Sequence, residues 1–430
     1  MMEVCKSALT CFLIILATLP AVEQTKSAIK EFEGLQERIR QSRKSADWKS
    51  NLAAASQLKA FLNESPDSLL EVARADVHTG DLAAALRELQ QFVRMGQSTD
   101  FLETSPELGA IRQQASFVEI RDGMKKNREP VSLGSTAFQL PDSAILAEDI
   151  DYDPQTKHFF VTSVRQKKII WTDSTGAGGD FAKSPDAWPM LALKIDRARG
   201  LLWATEVALQ GFIFAPQSDW GRSALVCFNL KTGTLQRRVE GPAGSNLGDM
   251  ALATNGDVIV SDGDGGGVYR LPLNGAQLER IDGGDFISPQ TPALHPDGKH
   301  IFVSDYVRGI GVLDIATKQV RWLSTKGKYA LNGIDGMYYD RGRLIAVQNG
   351  TSPERVVAFT LDSSLTGISS DTTIERGTDT LGDPTHGVAV DHDFYYIANS
   401  GWDAIDEHGN AKPDIKASAP RIMRADLNGL

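Results

Sequence analysis

Six positions in this chain are spaced so that a repeating β-structure brings them to one place: Glu148, Leu191, Gly248, Gln290, Asp335 and His386. Each precedes an apolar, alternating stretch by the same short step. Two carboxylates, an amide and an imidazole are therefore candidates for one shared site. Asp149 and Asp249 follow one residue further along. Carboxylates that converge repel one another unless something positive lies between them. A hard divalent cation meets that need. Ca²⁺ is the first choice because it takes carboxylate, amide and water oxygens with loose geometry, and Zn²⁺ and Mg²⁺ are alternatives. Asp335 is the expected base or water-orienting group, and His386 a second polar wall.

The elements that must position these residues are strands and tight turns. Glu148-Asp-Ile-Asp-Tyr-Asp-Pro leads to His158-Phe-Phe-Val-Thr-Ser. Asp249-Met-Ala-Leu-Ala-Thr-Asn-Gly leads to Val258-Ile-Val-Ser-Asp, and Pro292-Ala-Leu-His-Pro-Asp-Gly to Ile301-Phe-Val-Ser-Asp. Asp335-Gly-Met-Tyr-Tyr-Asp, His386-Gly-Val-Ala-Val-Asp and the weaker Leu191-Ala-Leu-Lys-Ile-Asp open three further copies. Six such copies predict an all-β, six-bladed β-propeller over residues 135–430, in which equivalent positions surround one axis. A last strand near Arg421 to Leu427 is expected to pair with residues around Thr136 to Leu140, closing the ring and removing an open edge.

A helical preface precedes the ring, over residues 26–128. Trp48, Leu52, Leu58, Phe61 and Leu62 recur at helical spacing, as do Leu69, Leu70, Val72 and Ala73, and Ala85, Leu86, Leu89, Phe92 and Val93. Gly80 suits a helix C-terminus and Asp81 the next N-cap. Helix, Gly-Asp turn and helix resemble a tetratricopeptide-type hairpin, which reads either as a docking surface for a protein partner or as a packing cap beside the propeller.

Lys6 and the apolar run from Leu9 to Leu19 read as a secretory signal over residues 1–21, too short to span a bilayer. The expected mature protein is exported, secreted or periplasmic, and free of the membrane. Of the three cysteines, Cys5 and Cys11 lie in that signal, and Cys227, in an alternating strand, reads as a buried structural thiol. A net charge of −10 argues against a nucleic-acid partner.

Residues from about Leu140 to Asp426 resemble the senescence-marker-protein/gluconolactonase family, which includes regucalcin and is related to paraoxonases and strictosidine synthases. Ala147-Glu148-Asp149 is similar to the opening phrases of gluconolactonases and paraoxonases. Pro289-Gln290-Thr-Pro-Ala-Leu-His-Pro-Asp-Gly resembles the family's Pro-Asn-Gly-x-x-x-Ser-Pro-Asp-Gly, and Ile334-Asp335-Gly336-Met337 its Pro-Asp-Gly-Met. The resemblance implies a central divalent ion held by Glu148, Asp335 and Gln290, with Asp335 also the catalytic acid or base. It implies that Asp149 and Asp249 help hold a second, structural calcium. Gly248 stands where the family has an Asn and cannot replace that contact.

Two readings of function follow. The first is an exported, metal-dependent hydrolase of lactones or related esters. The second is a non-catalytic propeller that binds or scaffolds a partner through its faces and its helical preface.

Other features are weaker. Asp262-Gly-Asp-Gly-Gly-Gly lacks the Lys-Ser/Thr of a phosphate loop and reads as a hairpin turn. Asp149-Ile-Asp-Tyr-Asp is no EF-hand, because Pro154 and Phe160 occupy its Gly and Glu positions. No Gly-x-Ser-x-Gly elbow accompanies His386. His295, His300 and His392 read as solvated turn or strand-edge residues. Of the turn asparagines Asn349 and Asn399, the second is the one expected near the channel. Trp402 to Asp414 reads as a polar loop that could lie over the pocket.

Overall fold

The computed structural model describes residues 27–430, so the expected signal segment lies outside the described residues. Six antiparallel sheets form the ring, five with four strands and one with five. Their innermost strands are Ala147–Asp153, Met190–Asp196, Leu247–Leu252, Pro289–Leu294, Met337–Asp340 and Gly387–Val390, here the inner strands of blades one to six. The second strand of each blade is buried on both faces by its neighbours. This explains why Val258–Asp262 and His300–Asp305 read as nearly continuous apolar runs.

The inner strands of blades one to four share a defect. Each carries one extra residue at its start, between Ala147 and Ile150, Met190 and Leu193, Leu247 and Asp249, and Pro289 and Pro292. The freed backbone groups are met by a Ser or Thr of the second strand. Asp149 N donates to Thr162 Oγ1 and Ala192 N to Thr205 Oγ1, both at 2.9 Å. Ser261 and Ser304 donate to the carbonyls of Asp249 and Thr291. The following acid ties down the loop entering the blade: Asp305 Oδ2 accepts from Ile287 N and Ser288 N, and Asp262 Oδ1 from Asn246 N. The recurring Ser-Asp is thus structural, a set of partners for otherwise orphaned backbone groups.

Ring closure follows the expected pairing. Gly134–Gln139 lies against Arg421–Asp426, with Thr136 opposite Met423 and Phe138 opposite Ile422. Just before it, Val131–Ser132 adds a fifth strand to blade five. One short segment therefore stitches the outer edges of two blades. Phe138, 5% exposed, packs on Phe159 of blade one with ring centres 5.0 Å apart.

Four main helices precede the ring: α1 (Ala28–Lys44), α2 (Trp48–Phe61), α3 (Pro66–Thr79) and α4 (Leu82–Arg94). Three short turns, Phe101–Thr104, Pro106–Leu108 and Gly109–Arg112, and a closing helix, Phe117–Asn127, follow. Gly80 ends α3 with φ of +90°, a conformation that favours glycine. Asp81 caps α4 by accepting from Ala84 N at 2.8 Å. Among the described residues, no helix is long and apolar enough to cross a membrane.

The helices sit on the face where the inner strands begin. Ile287 shares a core with α1 and α2, and Ala330 one with α3 and α4. Arg308 donates to Phe61 O at 2.9 Å and Asp285 O at 3.0 Å, and its guanidinium lies over the rings of Phe61 and Trp322. Buried Arg355 donates to the carbonyl of Met95 at the end of α4 and to that of Ala330, placing a cation where the helix dipole is negative. The helical layer is thus a roof over blades three to five.

Because Phe138 is the apolar anchor of the closing strand, Phe138→Ala is expected to cost about 3–5 kcal/mol of stability. Thermal melting tests this. A loss no larger than that of Leu133→Ala, an exposed position in the same segment, would show that closure does not depend on this side chain.

Candidate functional site

Glu148, Leu191, Gly248 and Gln290 lie inside the four bulges, while Asp335 and His386 come just before their inner strands. Ligand atoms of Glu148, Asp335 and His386 all lie within 4.8 Å of one another, although they come from blades one, five and six. The repeat register placed all three. The side chains of Glu148 and Asp335 converge.

His386 organises the cluster. Its Nδ1 donates to the Glu148 carbonyl at 2.9 Å, and its Nε2 pairs with the Asp249 carboxylate. Thr291 Oγ1, which donates to Asp335 O at 2.8 Å, is 3.2 Å from the same Nε2. Burial alone would lower the His386 pKa, but Asp249, Asp149 and Asp335 reverse this and hold it well above the usual value. The ring is therefore an imidazolium, a fixed positive charge among acids.

The acids respond in kind. Burial pushes Asp335 up to about 7, opposed by His386 and reinforced by Asp249 and Asp383. Burial and the Asp335 charge raise Glu148 well above the ordinary carboxylate range. Further out, Glu354 rises to about 8 and Asp383 to about 6, again chiefly through burial. Their link is a 3.1 Å hydrogen bond from Asp383 N to Glu354 Oε2. One imidazolium is too little charge for this many carboxylates.

Two second contacts orient the central pair. Trp402 Nε1 donates to Glu148 Oε2 at 2.5 Å, and Asn349 Nδ2 to Asp335 Oδ2 at 2.9 Å. Tyr306 OH holds Asn349 Oδ1 at 2.9 Å. Among the described residues, Glu148 Oε1 and Asp335 Oδ1 accept no hydrogen bond, so each acid keeps one oxygen for a ligand. The set fits a hard cation: two carboxylate oxygens in reach of each other and short of positive charge, with water left to complete the shell.

Other expected ligands are placed elsewhere. Asp149 accepts from Lys194 Nζ at 2.5 Å and from Leu193 N at 2.9 Å, bridging blades one and two. It is a structural staple, which corrects its assignment to an ion. Asp249 is taken by His386, so the two acids do not share a second site. Gln290 donates its amide nitrogen to Ser288 Oγ at 3.1 Å, which leaves Oε1 as its atom for a cation. At Gly248, a Cβ would meet nothing nearer than Asn246 O at 4.0 Å, so this corner stays open.

Asn399 also departs from expectation. It bonds Ser418 and Ala419 at the ring closure, and Asn349 is the asparagine at the site. Asn349 precedes Gly350 in a turn and carries no spacing signal. Trp402 was legible only as part of a loop. It joins Leu191, Val207 and Phe212 in an apolar cluster that forms one wall beside the acids. Two long loops make that wall, and Ile213 N donates to His408 O at 2.9 Å where they meet.

No sequence-family model matches the chain, and no curated protein matches it by sequence. Solved structures resemble its ring. Aldose sugar dehydrogenase of Streptomyces coelicolor, in its PQQ-bound form, is 14% identical, with a TM-score of 0.47 over 69% of this chain and 99% of that one. A gluconolactonase of Xanthomonas campestris is 15% identical, with a TM-score of 0.46 over 67% and 88%. Virginiamycin B lyase of Staphylococcus aureus, bound to quinupristin, is 13% identical, with a TM-score of 0.45 over 69% and 97%. Likeness at this level concerns the propeller alone, and the strand order of this chain already shows it.

The raised Asp335 pKa fixes a sign. Its carboxyl keeps a proton in the fold up to about pH 7 but loses it near 3.8 when unfolded. Over that interval the folded state binds more protons, so its stability falls as pH rises. Asp335→Asn removes this cost. In chelator-treated protein, the variant's melting temperature relative to wild type should be higher at pH 8 than at pH 5. An equal difference at both values rejects the assigned titration.

Proposed function

We propose that the protein is an enzyme that hydrolyses lactones or related esters at the axial cluster, using a divalent cation, Ca²⁺ first among the candidates. The observation that carries this reading is the approach of Glu148, Asp335 and His386 to within 4.8 Å. Glu148 and Asp335 would hold the cation. When bound, it supplies a Lewis acid that polarises the substrate carbonyl. Asp249 stays outside this set because His386 engages its carboxylate.

Burial raises Asp335 to about 7 in the metal-free fold, and a bound cation would lower it again and keep the carboxylate ionised to accept a proton from water. Water gives a proton to Asp335 as its oxygen bonds to the carbonyl carbon. The ester C–O bond then breaks, and the departing oxygen takes the proton back. His386 remains charged beside the developing negative charge, and Asn349 fixes which Asp335 oxygen faces the water. The apolar wall of Leu191, Phe212 and Trp402 supports a substrate with an apolar side. Export to the periplasm or the cell exterior belongs to the same reading.

The alternative is a non-catalytic binding or scaffold protein. Two observations favour it: Gly248 offers no amide to the axis, and the helices roof the face on which the cluster opens. In that reading the α3–α4 hairpin acts as a tetratricopeptide-like platform for a protein partner.

Thermal melting with Ca²⁺ or chelator separates the parts. Wild type should be stabilised by Ca²⁺, and Asp335→Ala should not respond. Turnover of a panel of aliphatic lactones, sugar lactones and phenyl esters should fall by about 10²-fold or more in the same variant. Equal rates in both proteins reject Asp335 as the catalytic group, and no turnover of the panel by wild type favours the scaffold.

A further inference from the structure

The hairpin between the first two strands of blade four carries His295-Pro-Asp297-Gly-Lys-His300, at the far end of the inner strand from Gln290. Two of the chain's seven histidines flank one carboxylate there. His300 Nδ1 is 2.7 Å from Asp297 Oδ2, and His295 Nδ1 is 3.0 Å from the same oxygen. The ligand atoms of the three residues lie within 4.8 Å of one another. The sequence suggested solvated imidazoles, and the hairpin brings them together.

The turn itself does not require this arrangement. Asp297 Oδ1 alone serves the backbone, accepting from Lys299 N at 2.8 Å and His300 N at 3.1 Å. Oδ2 is left to the imidazoles. His295 and His300 face each other at the end of the ladder, where His295 N donates to His300 O at 3.1 Å. Gly298 turns the chain with φ of +67°. The His295 ring stands edge-on to Tyr339 and Phe302, at 5.2 and 5.9 Å. The three donors are thus set by a closed hairpin before any ligand arrives, and little chain entropy remains to be lost on binding.

We infer that His295, Asp297 and His300 form a binding site for a divalent transition-metal ion of the zinc, copper and nickel group. Tetrahedral ligands about 2.0–2.2 Å from such an ion stand roughly 3.3–3.6 Å apart, so the two imidazole nitrogens, 2.7 and 3.0 Å from Asp297 Oδ2, would open only slightly as an ion replaced the protons between them. Imidazole nitrogens select this group over calcium and magnesium, which prefer oxygen. His300 Nδ1 donates to Asp297 Oδ2 at 2.7 Å, a proton that an ion would replace, and its Nε2 faces the outer carboxylate of Asp314 at 3.8 Å, which would favour the proton on Nε2 once Nδ1 holds the ion. Asp297 N lies 3.4 Å from His295 Nδ1 and donates to it when that nitrogen carries its lone pair, the tautomer an ion would select over the one that faces Asp297 Oδ2 with a proton at 3.0 Å. The side chains are 18%, 31% and 27% exposed in sequence order, so an ion can enter from solvent and water can fill the remaining positions. The site lies on the opposite face of the ring from the axial acids and is independent of them.

Calorimetric titration of the chelator-treated chain with Zn²⁺ tests the assignment, using Glu148→Gln/Asp335→Asn protein to remove the axial carboxylates. That protein should bind one Zn²⁺. Adding His295→Gln or Asp297→Asn should weaken binding by about tenfold or more, and adding both histidine substitutions should abolish it. Asp297→Asn keeps the oxygen that accepts from the turn, so a folding defect is not expected to mask the result. Co²⁺ should show visible ligand-field bands that disappear with the same substitutions. Absence of Zn²⁺ binding up to about 1 mM, or an unchanged isotherm in the double histidine variant, overturns the site.

Discussion

Like charges brought to a dry axis must be neutralised, and the centre of this protein is organised around that requirement. Six inner strands begin at one ring, so a carboxylate at the start of a strand is delivered beside those of other blades. Glu148, Asp249 and Asp335 meet there with one imidazole to share. His386 accepts a proton and settles on Asp249, and Lys194 removes Asp149 from the contest. Glu148 and Asp335 remain short of positive charge, and their raised pKa values express that shortage. A proton or a cation can satisfy it, and the pair's two unused oxygens are the place for either.

The same geometry explains how much of the chain serves position. The bulges that turn Glu148 and its counterparts toward the axis strand backbone groups, and Ser or Thr side chains of the second strands recover them. The acids that follow hold the entering loops. The mouth is built differently on its two sides. Over blades three to five lies the helical layer, fastened by Arg308 and Arg355. Over the other blades lie the two loops that carry Phe212 and Trp402, and Trp402 reaches down to Glu148. Roof and loops share a face with the axial cluster, so access to the axis passes between them.

Much of the fold was legible because it rests on local rules. The Asp-Gly and Asp-Pro turns, the alternating stretches and their even spacing gave six blades, and the unpaired ends gave the closure of Gly134–Gln139 on Arg421–Asp426. Gly80 and Asp81 marked the α3–α4 turn for equally local reasons. Glu148, Asp335 and His386 were legible through repeat register. Asn349 and Trp402 were not, since each reaches the site from a loop whose course depends on packing far away in sequence. His295, Asp297 and His300 were visible as residues but not as a cluster, because closing a hairpin is what sets their rings against one carboxylate.

Asp149 and Asp249 show where the sequence stops. Both follow the axial position by one residue, and both read as metal ligands. Both blades carry a single extra residue before the regular ladder, with Ile150 opposite Val161 and Met250 opposite Val260, so register does not separate the two acids. Their partners do: Lys194 of the neighbouring blade claims Asp149, and His386 claims Asp249. The sequence by itself determined the period, the turns and which residues carry charge. Tertiary structure alone decided which partner each charge meets, because the approach of a neighbouring blade is set by packing and not by spacing along the chain.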